Sequence, residues 1–318
     1  MYLKNDHGLN PIPYGYKQVF QNKFTNSISK NEIVKMKDEN ILTDRDLEIA
    51  LFLFEVRFAT LNQIYEYLKL KGILTQKRAD ESDEEVKETS INSIKARLDK
   101  LVVNRVLNKF MLCMIEDERV QPDALQIYCL DLGGKYLLSH YSSKDVTDWF
   151  ISTNYKASAL ISKDIATTQF YLRLLSSSKE KLRYFTTAPQ RKCDKTNILP
   201  TFEFCLMHNG LPNYFIVEVV REDDIFTDFP KKIEKLERLI QTNAWKKYYL
   251  GNNNPPILLL IAENDILALD VCRITTSSTE INRYRVTTDI KMNGDLSTAF
   301  MKYVPESNQL VNVKVNIF

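Results

Sequence analysis

The chain has 318 residues, 44% of them hydrophobic and 26% charged, with a formal net charge of +2. That length suits about two domains, each with its own core. The near-neutral charge excludes a uniformly basic surface, so any nucleic-acid contact must be local. No apolar run approaches the ~20 residues of a membrane span. The N-terminus lacks a basic segment followed by an apolar core, so a cytoplasmic protein is expected. Cys113, Cys129, Cys193, Cys205 and Cys272 show no CxxC spacing, and histidine occurs only at 7, 140 and 208. Neither a disulfide framework nor a zinc site is expected.

Residues 1–40 are polar, with Gly8, Pro11, Pro13 and Gly15. They read as an extended arm, part of it docked through Tyr14, Tyr16, Phe20 and Phe24. Residues 41–148 form the next predicted domain. Thr43 before Asp44, Arg45 and Asp46 is an N-cap signal with acids at the positive end of a helix. Leu47, Ile49, Leu51, Leu53, Phe54 and Val56 give that helix a wide apolar stripe. A second helix starts near Thr60. Residues 71–89 are charged and aperiodic, which predicts a solvated loop. In residues 90–104, Ile91, Ile94, Leu98, Leu101 and Val102 recur at three- and four-residue steps and share one face. Strand-like runs at 106–115 and 125–130 follow, connected through Glu116, Asp117 and Pro122. Gly133-Gly134 breaks the chain before another helix from Lys135.

Three helices and then a β-hairpin is the winged helix-turn-helix order, in which the third helix enters the major groove and the hairpin lies along the backbone. Groove reading needs short polar groups near base edges and cations near phosphates. Asn92, Ser93, Lys95, Arg97 and Lys100 on the third helix, with Lys109 on the hairpin, are the candidates for contact with double-stranded DNA. The competing reading is an ordinary solvated helix face or a protein-interaction module. A homodimer would match paired half-sites, although no interface is visible in the sequence.

Residues 149–318 form the last predicted domain. Residues 150–182 read as helical. Strands are predicted at 199–207, 213–220 and 256–262, with a helix at FPKKIEKLERLIQ between the second and third. That is an α/β pattern, and the whole chain is α+β. RYRVTTDI and NVKVNIF read as further short strands. Trp245, Tyr248 and Tyr249 beside Lys246 and Lys247 can stack on unpaired bases, or pack inward and leave their lysines in water. No phosphate-binding glycine loop, GxSxG or HExxH occurs.

LPTFEFCLM and NYFIVEVVRED, followed by FPKKIEKLERL, resemble the strand pair and helix of PD-(D/E)XK nucleases. Such sites use carboxylates to hold Mg²⁺ and a lysine to orient water. The resemblance implies Glu203 and Glu218 as catalytic and metal-binding acids, with Lys232 or a neighbouring lysine as the amine. Thr201 stands where the aspartate would be, and Val220 where the lysine would be. Alternation places Thr201 and Cys205 on the face of Glu203, and Ile216 and Val220 on the face of Glu218. The alternative is a salt bridge to Arg221 or to a lysine of the helix, because an unpaired buried charge is costly.

Taken in order, LTDRDLEIALFLFEVRFATLNQIYEYL, SINSIKARLDKLVVNRVLNK, IYCLDLGGKYLL, ILPTFEF, YFIVEVVRED and PKKIEKLERL resemble the replication-relaxation family, which includes MobC-type accessory proteins of mobile plasmids and conjugative elements. The resemblance implies a winged helix followed by a degenerate PD-(D/E)XK nuclease-like α/β domain. It also implies binding near an origin, where the protein helps a relaxase or replication protein open the duplex, with no cofactor. A Mg²⁺-dependent DNA endonuclease is the other function it admits.

Overall fold

In a computed structural model, the described residues are 16–23, 28–74, 83–113, 124–251 and 253–318, with side chains from residue 87 onward in the helix that starts at Asp83. They form two compact units, one through Thr168 and one from Gln169. The division falls inside a helix rather than at the expected 148/149. The fold is mixed α+β.

The stretch expected to be an extended arm contains a strand, β1 (Lys17–Phe20), and a helix, α1 (Lys30–Asp38). Ser29 caps α1 in a reciprocal box with Glu32, and Ile33 on its inner face is fully buried. The S-x-x-E spacing carries this start signal. Residues 1–15 and 24–27, with Tyr14 and Phe24, lie outside the described residues.

The first unit continues with α2 (Asp44–Val56), β2 (Phe58–Thr60), α3 (Leu61–Leu70), α4 (Asp83–Val103), β3 (Leu107–Cys113), β4 (Ile127–Leu130) and α5 (Leu132–Tyr141). Capping boxes start α2 (Thr43 with Asp46) and α3 (Thr60 with Gln63). The sheet order is β1-β3-β4-β2, antiparallel throughout. Phe52 stacks on Tyr67 at 4.1 Å between α2 and α3, and Phe58 meets Phe110 edge-on at 5.2 Å. The tip of the β3–β4 hairpin, with Glu116, Asp117 and Pro122, lies outside the described residues.

Two expectations change here. The acidic stretch is not all loop, because Asp83–Thr89 forms the opening turns of α4. Carboxylates near a helix N-terminus are favoured by its partial positive charge. Gly133 and Gly134 do not break the chain; they are buried in the first turn of α5. A Cβ on Gly134 would lie 2.4 Å from the Val106 carbonyl oxygen, and one on Gly133 would lie 2.6 Å from that of Arg105. Glycine permits this close approach of a helix to the α4–β3 turn.

Asp131 caps α5, its Oδ1 accepting from the Leu132 N–H at 2.7 Å. Its Oδ2 is buried without a hydrogen-bond partner, and burial pushes the carboxyl up to about 6, against the lowering pull of that bond and of Arg105. The folded state therefore holds this proton more tightly than the unfolded chain, whose carboxyl titrates near 4. Stability from the group is full below about pH 4 and is lost as pH rises through about 6. Asp131→Asn keeps a capping oxygen without the charge, so it should raise the melting temperature at pH 8 and lose that advantage at pH 4. A melting difference independent of pH would contradict the assignment.

The second unit takes the end of α6 (Ser158–Ser178), then β5 (Leu182–Thr187), β6 (Arg191–Cys193), β7 (Thr196–Ile198), β8 (Phe202–His208), β9 (Leu211–Val219), α7 (Phe229–Gln241), β10 (Ile257–Ala262), α8 (Asp265–Ser278), β11 (Tyr284–Thr288), β12 (Phe300–Val304) and β13 (Gln309–Val313). The order in the main sheet is β13-β12-β11-β10-β9-β8-β5. The strands β9, β10 and β11 run parallel, and the others pair antiparallel. The helix α7 is the crossover that a parallel β9–β10 pair requires. It buries Phe229, Ile233, Leu236 and Leu239 against Ile216, Val220, Leu258 and Leu260. The NVKVNIF strand is corrected: β13 ends at Val313, and β12 is its partner. No helix among the described residues is long and apolar enough to cross a membrane.

Candidate functional site

The C-terminal half of α4 buries Ile94, Leu98, Leu101 and Val102, and Ile91 is half-buried. The outer side exposes Asn92, Ser93, Ala96 and Lys100, with Lys95 half-buried. Arg97 departs from the expected open cation. Its Nε donates to Asp46 Oδ1 at 2.8 Å, and its Nη2 donates to Asp46 Oδ2 and to the Ile41 carbonyl at 2.6 Å. Burial raises the Asp46 carboxyl, but bonds from Arg97 and Thr43 outweigh it and leave the carboxyl below its ordinary value. Arg97 thus welds α4 to the start of α2. Lys109 is also engaged, with Asp99 Oδ1 at 2.6 Å and Gln126 Oε1 at 3.3 Å. The surface is therefore Asn92, Ser93, Lys95 and Lys100. Exposed Glu88 stands one turn before Asn92 and places a negative charge at that end of the surface.

In the second unit, Glu203 on β8 stands opposite Ile216 on β9. The two glutamates share the sheet face covered by α7, a relation set by the pairing register and not by the alternation within either strand. They do not share a partner. Glu203, 1% exposed, is bound by Arg191 through Nε at 3.2 Å and through Nη2, and by the Tyr249 hydroxyl at 2.8 Å. Burial, and then the neighbouring Glu203, push the Tyr249 hydroxyl up, so it stays a donor. The Arg191 guanidinium lies over the rings of Tyr248 and Tyr249 at 4.9 and 5.7 Å. Glu218, 2% exposed, accepts from Lys232 Nζ at 3.0 Å and from Thr201 Oγ1 at 2.9 Å. Thr201 Oγ1 also accepts from the Val219 N–H at 3.2 Å. The expected lysine of the helix is present, but as the counter-ion of Glu218.

These carboxylates do not fit a Mg²⁺ centre. Each is sealed from solvent and already neutralised by its own cation, so a metal would have to displace Arg191 or Lys232. Among the described residues no cluster of His, Cys, Asp and Glu can hold a metal ion. Arg191 and Tyr249 carry no periodic signal in the sequence; only the fold brings them to Glu203. Of the two readings of AWKKYYL, inward packing describes Trp245 and Tyr249. Trp245 is 2% and Tyr249 1% exposed, packed on the α7 side of the sheet, while Lys246 and Lys247 stay in water.

Arg221 lies just past β9. It is 2% exposed and pairs with Asp289 at 3.2 Å, with Glu263 at 4.0 Å. Its N–H donates to Asp224 Oδ1 at 2.7 Å. Burial pushes the Asp289 carboxyl up to about 6, against the lowering pull of Arg221.

No protein-family model and no curated protein matches this chain. Among solved structures it is similar to protein VC1899 from Vibrio cholerae, at 11% identity and a TM-score of 0.29. The match covers 87% of this chain and 56% of VC1899, so the chain spans little more than half the length of that protein. At that score the similarity does not establish a shared fold.

Proposed function

We propose that this chain is a double-stranded DNA-binding accessory protein of a plasmid or conjugative element, acting near an origin beside a relaxase or replication protein. The observation that carries the reading is the order of the first unit. The helices α2, α3 and α4 precede an antiparallel hairpin, β2 closes the sheet onto β4, and α4 exposes Asn92, Ser93 and Lys100 with Lys95 half-buried beside them. That order supports a winged helix with α4 as the groove-entering element. The run α6-β5-β8-β9-α7-β10, with β9 and β10 parallel, supports a PD-(D/E)XK-like scaffold whose former catalytic positions now hold structural ion pairs. A metal-dependent nuclease is the weaker reading for that reason, and plasmid incubated with Mg²⁺ or Mn²⁺ is expected to stay intact.

Phosphate contacts release counterions, so duplex affinity should fall steeply with salt. In fluorescence anisotropy, the double variant Lys95→Ala/Lys100→Ala should bind duplex about tenfold more weakly, with a log K against log salt slope shallower by about 2. Arg97→Ala should instead lower thermal stability, because it strands buried Asp46. Salt-insensitive binding, or no binding to any duplex, would defeat the proposal.

A further inference from the structure

The strands β9, β10 and β11 are adjacent and parallel, so the loops that follow them leave the sheet along one edge. Neighbouring strands lie about 4.8 Å apart, so these loops are close neighbours. Arg221 after β9 pairs with Glu263 after β10 and with Asp289 after β11. Lys291 reaches back to Asp265 at the start of α8, at 3.9 Å. The three loops are thereby held as one rim.

Two properties set this rim apart. The first is apolar exposure. Phe226, Ile266 and Ile290 are 76%, 79% and 68% exposed, three of the five most exposed large hydrophobic side chains among the described residues. Single exposed apolar groups are ordinary, but one on each of three adjacent strand-end loops, with acidic residues around them, points to an interaction surface. The second is charge. In the segments REDDIFTD (221–228), ENDI (263–266) and DIK (289–291), Arg221 and Lys291 are the cations, against carboxylates at 222, 223, 224, 228, 263, 265 and 289. The cations are tied into the rim, while Glu222, Asp223, Asp228 and Asp265 face solvent. In a chain of net charge +2 this edge is a local reversal of sign.

A surface of this charge repels duplex phosphate and anionic lipid alike, whereas a cationic protein segment gains from it. The apolar side chains add what a merely charged ligand cannot use. We infer that the edge at the C-terminal ends of β9, β10 and β11 is a docking surface for a basic amphipathic helix of a partner protein. Its apolar face would sit on Phe226, Ile266 and Ile290, and its lysines or arginines would pair with Glu222, Asp223 and Asp265. Such helix-in-groove recognition reads apolar anchors at helical spacing. The inference does not depend on DNA binding, which α4 would carry in the other unit.

The test uses the full chain and a labelled synthetic helix with Leu on one face and Lys on the other. Its controls are the same helix with Glu for Lys, and an oligo-lysine of equal charge. The basic helix should bind about tenfold or more tightly than either control. Phe226→Asp/Ile266→Asp and, separately, Glu222→Lys/Asp223→Lys should each weaken it by about tenfold or more. The two variants change different exposed atoms, so a folding defect in one leaves the other decisive. Duplex affinity measured on the same proteins separates failure of this surface from failure of the DNA-binding reading. No binding of the basic helix, equal binding of oligo-lysine or of the acidic helix, or binding unmoved by both variants would overturn the inference.

Discussion

Arg221→Met is expected to destabilise the second unit by about 3–5 kcal/mol, because removing one partner of a buried ion pair leaves the other charge uncompensated. The stranded group is Asp289, 4% exposed on the strand-end rim. Its carboxyl already sits at about 6 through burial, even with Arg221 lowering it. Without the guanidinium it rises further. A raised folded-state value means stability that is present below about pH 4 and lost as pH climbs through the folded-state value. The defect should therefore be small at pH 4 and full at pH 8, read from the urea transition of the second unit at each pH. Adding Asp289→Leu to Arg221→Met should recover most of the loss, since buried ion pairs replaced by apolar groups are often neutral in stability. A defect of equal size at both pH values would refute the assignment of Asp289 as the stranded charge.

The second large effect belongs to the sheet face under α7. Arg191→Leu should cost about 3–5 kcal/mol by leaving Glu203 charged inside the sheet–helix interface. Glu203→Gln alone should cost less, because the amide oxygen still accepts from the Tyr249 hydroxyl. The double variant should be more stable than Arg191→Leu alone, giving a coupling energy of about 1–3 kcal/mol in a double-mutant cycle. A working metal site would behave otherwise. Charge removal at Glu203 would then relieve repulsion and raise stability in metal-free buffer. Denaturation curves of the three variants separate these outcomes, and additivity within ~0.5 kcal/mol would deny the pair any structural role.

A second carboxylate on the same face is closed in a similar way. Thr201 donates to Glu218, and Lys232 closes the same carboxylate from α7. Glu218 thus joins sheet to helix through its partners.

What the sequence by itself determined is the set of buried faces. Leu98 and Leu101 in α4, Ile233, Leu236 and Leu239 in α7, and the alternation through Glu203 and Glu218 were all legible. Apolar burial repeats with the period of the element that carries it, and a period is a local property of the chain. The S-x-x-E cap of α1 is local as well, but the polar character of residues 1–40 masks it. What only the tertiary structure decided is where each polar side chain finds its partner. Arg97 meets Asp46 across 51 residues, and Arg221 meets Asp289 across 68. Gly133 and Gly134 owe their place to carbonyls of Arg105 and Val106 that approach from another turn. Pairing of this kind has no period, because it is set by which backbones the folded core brings within hydrogen-bond reach. The same chemistry that suggested open cations at 97 and 109 is satisfied inside the protein instead.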